Sequence, residues 1–335
     1  MKPAMQVHTG RWAEALIAAA LLAGCAAPPP QLIARSGTVS VTRLDYRGWP
    51  DSCLMTNGDV EVVVVPAIAR IMSYAPAGEQ CVLWFNDALP RRRIGRTRPA
   101  GYPNYGGHKL WVAPQRAWGW PPQMELDRGA CEVEVGADGS LRMTGTPSPS
   151  AGVRFDREIR LAPAGTDLEV NQVMVNVSDR PVRWAIWDVT QASTDGVGFV
   201  PLGEGARLRT GDGAPLSGLW RRVGDVLLLK GGGPAQKVFI SGPPGWLGCK
   251  QGRWVFLKTF EIAPEPPPEP ETAREVWVGD RGFMELEIIG PAVELQPGQS
   301  ATLAETWRLL PAGPEADTDE GLVRFLHEHA GAPGP

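Results

Sequence analysis

Apolar and polar residues alternate with a period of two through most of this chain, and that alternation predicts strands with one buried face. The clearest segments alternate at 153–161, 167–177, 282–291 and 301–309, and run continuously apolar or β-branched at 61–65, 81–85, 226–229, 237–240 and 254–258. Turn residues punctuate them at short intervals, supplied by 40 glycines and 33 prolines. The expected fold class is therefore all-β, a large antiparallel sandwich. Only 318–330 departs from this rhythm. There Leu322, Val323, Phe325 and Leu326 recur at helical spacing and predict a short C-terminal helix.

The beginning of the chain follows another logic. Lys2 and Arg11 precede an apolar run at 15–23 that is too short to cross a bilayer, and Leu22, Ala23, Gly24 and Cys25 close it. Small residues just before a cysteine mark a processing site. The four residues resemble a bacterial lipobox, which implies cleavage before Cys25, a lipid on its sulfur and attachment to a membrane through that lipid. Ala26 follows the cysteine where an aspartate would favour inner-membrane retention, so the expected location is the cell envelope, at the outer membrane facing periplasm or exterior. The expected organisation is a signal peptide at 1–24, a lipidated cysteine and tether at 25–36, one sandwich at 37–311, and a helix and tail at 312–335.

The formal net charge is −4, and loss of Lys2, Arg11 and Glu14 with the leader makes the mature chain one unit more acidic. Phosphate backbones require clustered Lys and Arg, so nucleic acid is not an expected partner. Five arginines at 91–98 form the one basic run, read either as a solvated loop or as a contact for anionic lipid or an acidic sugar. Cys53, Cys81, Cys131 and Cys249 permit two disulfides in any of three connectivities, or buried free thiols. The acidic proline-rich stretch 263–272 reads as a stiff spacer or as a lid over one edge of the sandwich.

Candidate chemistry concentrates in two places. The segment 102–122 carries His108, Trp111, Trp118 and Trp120 among four prolines. It reads as a loop that presents aromatic faces and polar groups to a hydroxyl-rich ligand, or as a cap on a sheet. Gly106 and Gly107 allow a tight turn that brings His108 into a pocket, or leaves it a hydrogen-bonded loop residue. In 282–291, Glu285 and Glu287 project from one face of a strand while Met284, Leu286 and Ile288 project from the other. A carboxylate on a cavity-lining face would have its pKa raised toward neutrality by burial; on a solvent face the pair is an ordinary polar stripe. His327 and His329 stand two apart on the predicted helix and do not share a face, so no metal centre is expected. There is no Gly-x-Ser-x-Gly elbow, and 231–233 leads into Pro234 rather than a helix, so neither a serine nucleophile nor a phosphate-binding cofactor is expected.

Several stretches together resemble the bacterial family DUF4380, whose members are similar to the galactose mutarotase (aldose 1-epimerase) superfamily. They are 57–62, 66–74, 83–86, GGHKLWVAPQ at 106–115, WGWPP at 118–122, 176–191, PPGWL at 243–247, 285–291, LQPGQ at 295–299 and ETW at 305–307. The resemblance covers 37–311 and implies a galactose mutarotase-like β-supersandwich with a sugar cleft across one sheet. It implies Glu287 as the base that takes the anomeric proton, and aligns His108 with the superfamily's first histidine. Where the second histidine, the usual acid, is expected, this chain has Trp187 and Asp188. Asp188 would have to be held protonated to replace an imidazole. Two readings follow. One is a lipid-anchored binding protein for a sugar or glycan fragment, with Trp111, Trp118, Trp120 and Trp187 stacking on it and Lys109, Gln115, Glu287 and Lys258 binding its polar groups. The other is an epimerase-like enzyme with Glu287 as base and His108 or Asp188 as acid. A structural lipoprotein with no ligand is the third possibility. All of them need His108, Glu287 and the tryptophans placed relative to one cleft.

Overall fold

The computed structural model describes residues 28–89 and 102–330; the predicted leader, Cys25 and the arginine run lie outside them. Among the described residues, twenty-two strands form two antiparallel sheets, one of 12 strands and one of 10. The larger sheet receives β1 (Gln31–Ser36), β2 (Val39–Tyr46), β3 (Trp49–Thr56), β4 (Val60–Val65), β5 (Arg70–Pro76) and β6 (His108–Ala113) as successive neighbours. A short helix, α1 (Met124–Arg128), leads to the smaller sheet and β7 (Glu132–Val135), β8 (Leu141–Thr144), β9 (Val153–Leu161) and β10 (Leu168–Asn176). The chain then alternates. β11 (Val182–Ser193), β13 (Leu208–Thr210), β16 (Gln236–Ile240), β19 (Arg274–Val278), β20 (Phe283–Ile289) and β21 (Val293–Leu295) join the larger sheet. β12 (Val197–Pro201), β14 (Trp220–Val223), β15 (Val226–Lys230), β17 (Trp246–Gln251), β18 (Trp254–Phe260) and β22 (Ser300–Pro311) join the smaller. From β6 the larger sheet continues through β11, β20, β19 and β16 to β13, so residues far apart in sequence become neighbours at its centre.

The two sheets bury their inner faces against each other. Val62, Leu110, Ile186 and Leu286 of the larger meet Ile159, Val170, Phe256 and Leu309 of the smaller in one core. Burial alternates along β9 as the sequence period demands. Each aliphatic side chain so buried favours the folded state by roughly 1.5–3 kcal/mol relative to exposure. The smaller sheet's outer face is covered at one end by α2 (Asp319–His329), whose Leu322, Phe325 and Leu326 pack on Phe199, Leu228 and Leu257. Thr318 caps that helix by accepting the Gly321 N–H at 3.1 Å, and Asp319 and Glu320 sit where the helix dipole favours acidic groups.

The expected strands form, with differences that have local causes. Residues 31–36, read as part of a tether, are an edge strand paired to β2. Residues 81–85 make only single bridges at Leu83 and Phe85. The Cys81 thiol accepts the Leu83 and Tyr74 N–H groups at 3.2 and 3.4 Å, so those groups are spent locally rather than on a ladder. The four described cysteines are free thiols rather than disulfides. The proline-rich stretch reaches from the edge to the middle of the larger sheet's outer face: the Pro270 carbonyl accepts from Arg209 of edge strand β13, and Glu271 accepts the Gln115 N–H just beyond β6 at 3.1 Å.

Truncating Leu326 to Ala should lower stability by roughly 2–5 kcal/mol, and Thr318→Ala by about 1 kcal/mol. Both are read as a lower urea midpoint at unchanged slope. A Leu326→Ala chain unfolding at the wild-type midpoint would mean that α2 contributes nothing to the sandwich.

Candidate functional site

Strand β11 sends its side chains alternately to the two faces of the larger sheet, and each face carries its own polar cluster. Asp188 and Thr190 point inward, toward the smaller sheet, while Trp187, Val189 and Gln191 point outward. Register carries this division to the neighbouring strands. Thr190 stands opposite His108 of β6, Val189 opposite Lys109 and Glu287, and Gln191 opposite Glu285. His108 therefore shares the inner face with Asp188, whereas Lys109, Trp111, Glu285 and Glu287 share the outer face. Gly106 and Gly107 make the approach to β6 possible. Both have positive φ, and a Cβ on either would lie 2.3–2.4 Å from a backbone oxygen of Trp84 or Ile71.

The inner cluster ties the sheets together and is closed to solvent. His108 Nδ1 lies 3.1 Å from Thr190 Oγ1 and 3.4 Å from Asp188 Oδ2. Lys258 of β18 donates to Asp188 and, at 2.7 Å, to Thr190, and pairs with Glu305 of β22 at 3.2 Å. Gln172 of β10 donates to both Asp188 and Glu305, at 2.8 and 2.7 Å. Burial pushes the His108 imidazole down to about 3, against the pull of Asp188, so the ring is neutral. Burial alone would raise Asp188, but the Lys258 ammonium beside it holds the carboxyl well below the usual range. Glu305 is raised well above it by burial and by Asp188, and keeps its proton. His108, Asp188 and Glu305 could together ligate a divalent ion. The Lys258 ammonium already reaches both carboxyls, so the cation among these donors is a side chain.

The outer cluster is built from β6, β11, β20, β19 and β16. Glu275 of β19 stands directly opposite Glu287. Lys237 of β16 reaches both, its Nζ 2.6 Å from Glu275 Oε2 and 2.8 Å from Glu287 Oε2, and it lies 4.3 Å from the centre of the Trp187 ring. Trp187 Nε1 donates to the same Glu287 oxygen at 2.9 Å. Burial raises both carboxyls against the pull of Lys237, Glu275 to about 8. The same carboxyls hold Lys237 above the ordinary lysine value although burial would lower it. Beside them Glu285 accepts from Gln191 at 2.7 Å and from Lys109 at 3.3 Å, and 13% of its side chain remains exposed. Its cross-strand partner Trp277 and nearby Trp84 are half-buried and flank Phe283, with ring centres 5.3 and 4.6 Å from the Phe283 ring. Gly279 leaves room for this arrangement, since a Cβ there would meet the Trp277 ring at 2.5 Å.

The expected residues thus divide between faces. Glu287, Lys109, Trp111, Trp118, Trp120 and Trp187 gather on the outer face, and the rings of Trp111, Trp118 and Trp187 pack at 5.4–6.4 Å, mostly edge to face. Trp111 and Trp187 are buried against each other and against Glu287 or Asp127, so they form the floor rather than stacking surfaces; Trp120 is 57% exposed. Gln115 joins through its backbone. His108, Asp188 and Lys258 belong to the sealed inner cluster. The expected convergence of His108 with Glu287 does not occur, because adjacent residues on a strand point to opposite faces. An acid role for Asp188 is opposed by Lys258, which keeps it ionised, and Lys258 itself has no path to a ligand. Glu275, Lys237, Trp84 and Trp277 also belong to the outer cluster, although no local pattern marks them as site residues. The segment 102–122 is also less a loop than expected, since His108, Lys109 and Trp111 lie on β6.

The profile of the family described as "Domain of unknown function (DUF4380)" matches residues 52–310. No curated protein matches the sequence. Among solved structures, a putative aldose 1-epimerase from Klebsiella pneumoniae is similar with a TM-score of 0.56 and 13% identity, covering 86% of this chain and 87% of that one. A putative mutarotase from Salmonella typhimurium gives 0.53 and 14%, covering 84% and 97%. A galactose mutarotase-like protein from Lactobacillus casei gives 0.53 and 12%, covering 77% and 100%. A TPR-domain containing protein from Parabacteroides distasonis gives 0.53 and 14%, but this chain spans only 46% of it. At these identities the likeness shows the fold, a galactose mutarotase-like sandwich.

The inner cluster makes two outcomes measurable. Lys258→Met should destabilise the fold by roughly 3–5 kcal/mol, because it strands the Asp188 carboxylate in the core. His108 has a folded value near 3 against an ordinary 6.5, so the unfolded chain takes up a proton that the folded chain refuses between those limits. Stability contributed by neutral His108 is thus complete above pH 6.5 and is lost as pH falls through that window. His108→Leu should flatten this part of the Tm profile; a slope unchanged by the substitution would place the acid sensitivity elsewhere.

Proposed function

The chain belongs to the DUF4380 family, and from its outer-face geometry we propose that it is a carbohydrate-binding protein that takes its sugar against β11, β20 and β19. The observation that carries this reading is Glu285. It is the partly exposed carboxylate of the cluster, its Oε1 fixed by Gln191 and Lys109, and half-buried Trp277 stands opposite it in register. An aromatic face offers an apolar surface to the C–H side of a pyranose, and a fixed carboxylate accepts from its hydroxyls. The mutarotase-like fold supports the same assignment. The lipobox at 22–25 supports attachment through a lipid on Cys25 and a place in the cell envelope.

Calorimetric titration with mono- and oligosaccharides should give saturable binding. Trp277→Ala and Glu285→Gln should each weaken it roughly tenfold, about 1.4 kcal/mol. Trp254→Ala should leave it unchanged, since that ring donates to Glu79 outside the cluster. Absence of heat with every sugar would sink the proposal. Cys25→Ala should move the protein from the membrane to the soluble fraction; an unchanged distribution would overturn the lipid anchor.

A further inference from the structure

Trp120 is the most exposed large hydrophobic side chain among the described residues, at 57%. Exposure of a single ring would mean little by itself. This ring, however, is held in place. It stands edge to face against Tyr102 and Trp111, with ring centres 4.8 and 6.0 Å away. Trp111 is itself fixed, because its N–H donates to buried Asp127 at 2.8 Å and its ring packs against Trp187 at 5.4 Å. More than half of Trp120 thus stays open to solvent on a packed support.

Side-chain contacts join this open ring to the cluster around Glu285. Tyr102, half-buried beside Trp120, accepts from the Lys109 ammonium at 3.1 Å, and the same ammonium donates to Glu285 at 3.3 Å. Lys109 is only 1% exposed, so it acts as a strut between the two ends and not as a surface for ligand. Tyr102 in turn donates to Asp127 at 2.8 Å, which fixes its hydroxyl. Beyond Glu285 stands half-buried Trp277, opposite it in register. The row from Trp277 through Glu285 and Lys109 to Tyr102 and Trp120 therefore runs obliquely across the outer face, with an accessible aromatic ring at each end.

The ends are too far apart for one sugar. Trp277 belongs to β19, and Trp111, on which Trp120 leans, belongs to β6, three steps away through β20 and β11. At about 4.8 Å per step the separation across the sheet is roughly 14 Å. A pyranose ring is comparable in width with a single step, so it can meet Trp277 and Glu285, or Trp120, but not both. The occupant's class follows from the pattern. The core of a protein interface is contiguous, apolar and depleted of charge, whereas here aromatic faces are separated by a carboxylate and a phenol. Linked sugar rings present C–H faces and hydroxyls in alternation and match that pattern.

We propose that the outer face binds an oligosaccharide rather than a single sugar, about three units long, with one terminal unit on Trp277 and Glu285 and the other on the open ring of Trp120. This rests on the carbohydrate reading of the same face and gives its ligand a length and a direction. Lys109 and Tyr102 hold the two ends at a fixed separation, so little ordering of the protein accompanies engagement of the second end. Contacts at both ends are then gained by one ligand, and the second is an intramolecular event.

Calorimetric titration with glucose, maltose, maltotriose and maltotetraose tests the length, as does a second series of N-acetylglucosamine and its di-, tri- and tetrasaccharides from chitin. In whichever series binds, affinity should rise at least roughly tenfold from the single sugar to the trisaccharide and level off at the tetrasaccharide. Trp120→Ala should abolish that rise while leaving affinity for the single sugar within about twofold. Trp120→Phe, which keeps an aromatic face, should retain most of it. Trp277→Ala should weaken the single sugar and the trisaccharide alike. Equal affinity for one unit and three, or a Trp120→Ala chain that binds the trisaccharide as wild type does, overturns the extended site and leaves the carbohydrate reading intact. A Trp120→Ala chain that loses the single sugar as fully as the trisaccharide overturns the two-ended arrangement. Absence of binding by every member of both series overturns the oligosaccharide site together with the carbohydrate reading.

Discussion

The contact between Lys258 and Asp188 is the constraint on which the sandwich depends. Asp188 comes from the larger sheet and Lys258 from the smaller, and neither side chain reaches solvent. Removing two charges from water is costly, and their attraction offsets that cost only where the remaining donors and acceptors are also satisfied. Thr190, Gln172 and His108 supply those partners, and protonated Glu305 completes the set without adding a negative charge. The arrangement fixes how the sheets register across an otherwise apolar interior. It also occupies His108, which therefore acts as a neutral hydrogen-bonding ring within the core.

Fixing Asp188 on the inner face fixes everything on the outer one. Strand parity sends Trp187 outward, and Trp187 then supports Glu287 from below while its ring lies under the Lys237 ammonium. A parallel division occurs on β6, where His108 goes inward and Lys109 outward to Glu285. Chemistry on the outer face is further bounded by Asp127, which accepts from Tyr102 and Trp111, both at 2.8 Å, and pairs with Arg70 at 3.1 Å. This second buried ion pair ties the chain following β6 to β5 and holds the aromatic floor in place. The aromatic floor of the outer face is thus held from beneath by buried hydrogen bonds and ion pairs.

Much of the fold was legible because alternation reports burial directly. β9 and β10 follow the period with hardly an interruption, and the parity of Glu285 and Glu287 against Met284, Leu286 and Ile288 was correct as read. The composition of the site was less legible. Lys258 ends an apolar run, WVFLK, and nothing within that run says that its ammonium is enclosed by another sheet. Glu275, Trp277 and Lys237 lie in strands of five residues whose pattern carries little information, and their importance arises from pairing with β20. Parity within a strand is a property of sequence. Parity between β6, β11 and β20 is a property of register, which the chain specifies only through the whole packed core.

Likeness of fold leads to a face of a sheet, and what that face can do is set by charge balance there. A histidine and a glutamate can act on one ligand only if both stand on the same face, and here the histidine stands on the other. On the outer face two carboxyls share one lysine, and burial raises both against its pull. An odd carboxyl, a single cation and burial meet there because β19, β20 and β16 bring Glu275, Glu287 and Lys237 together.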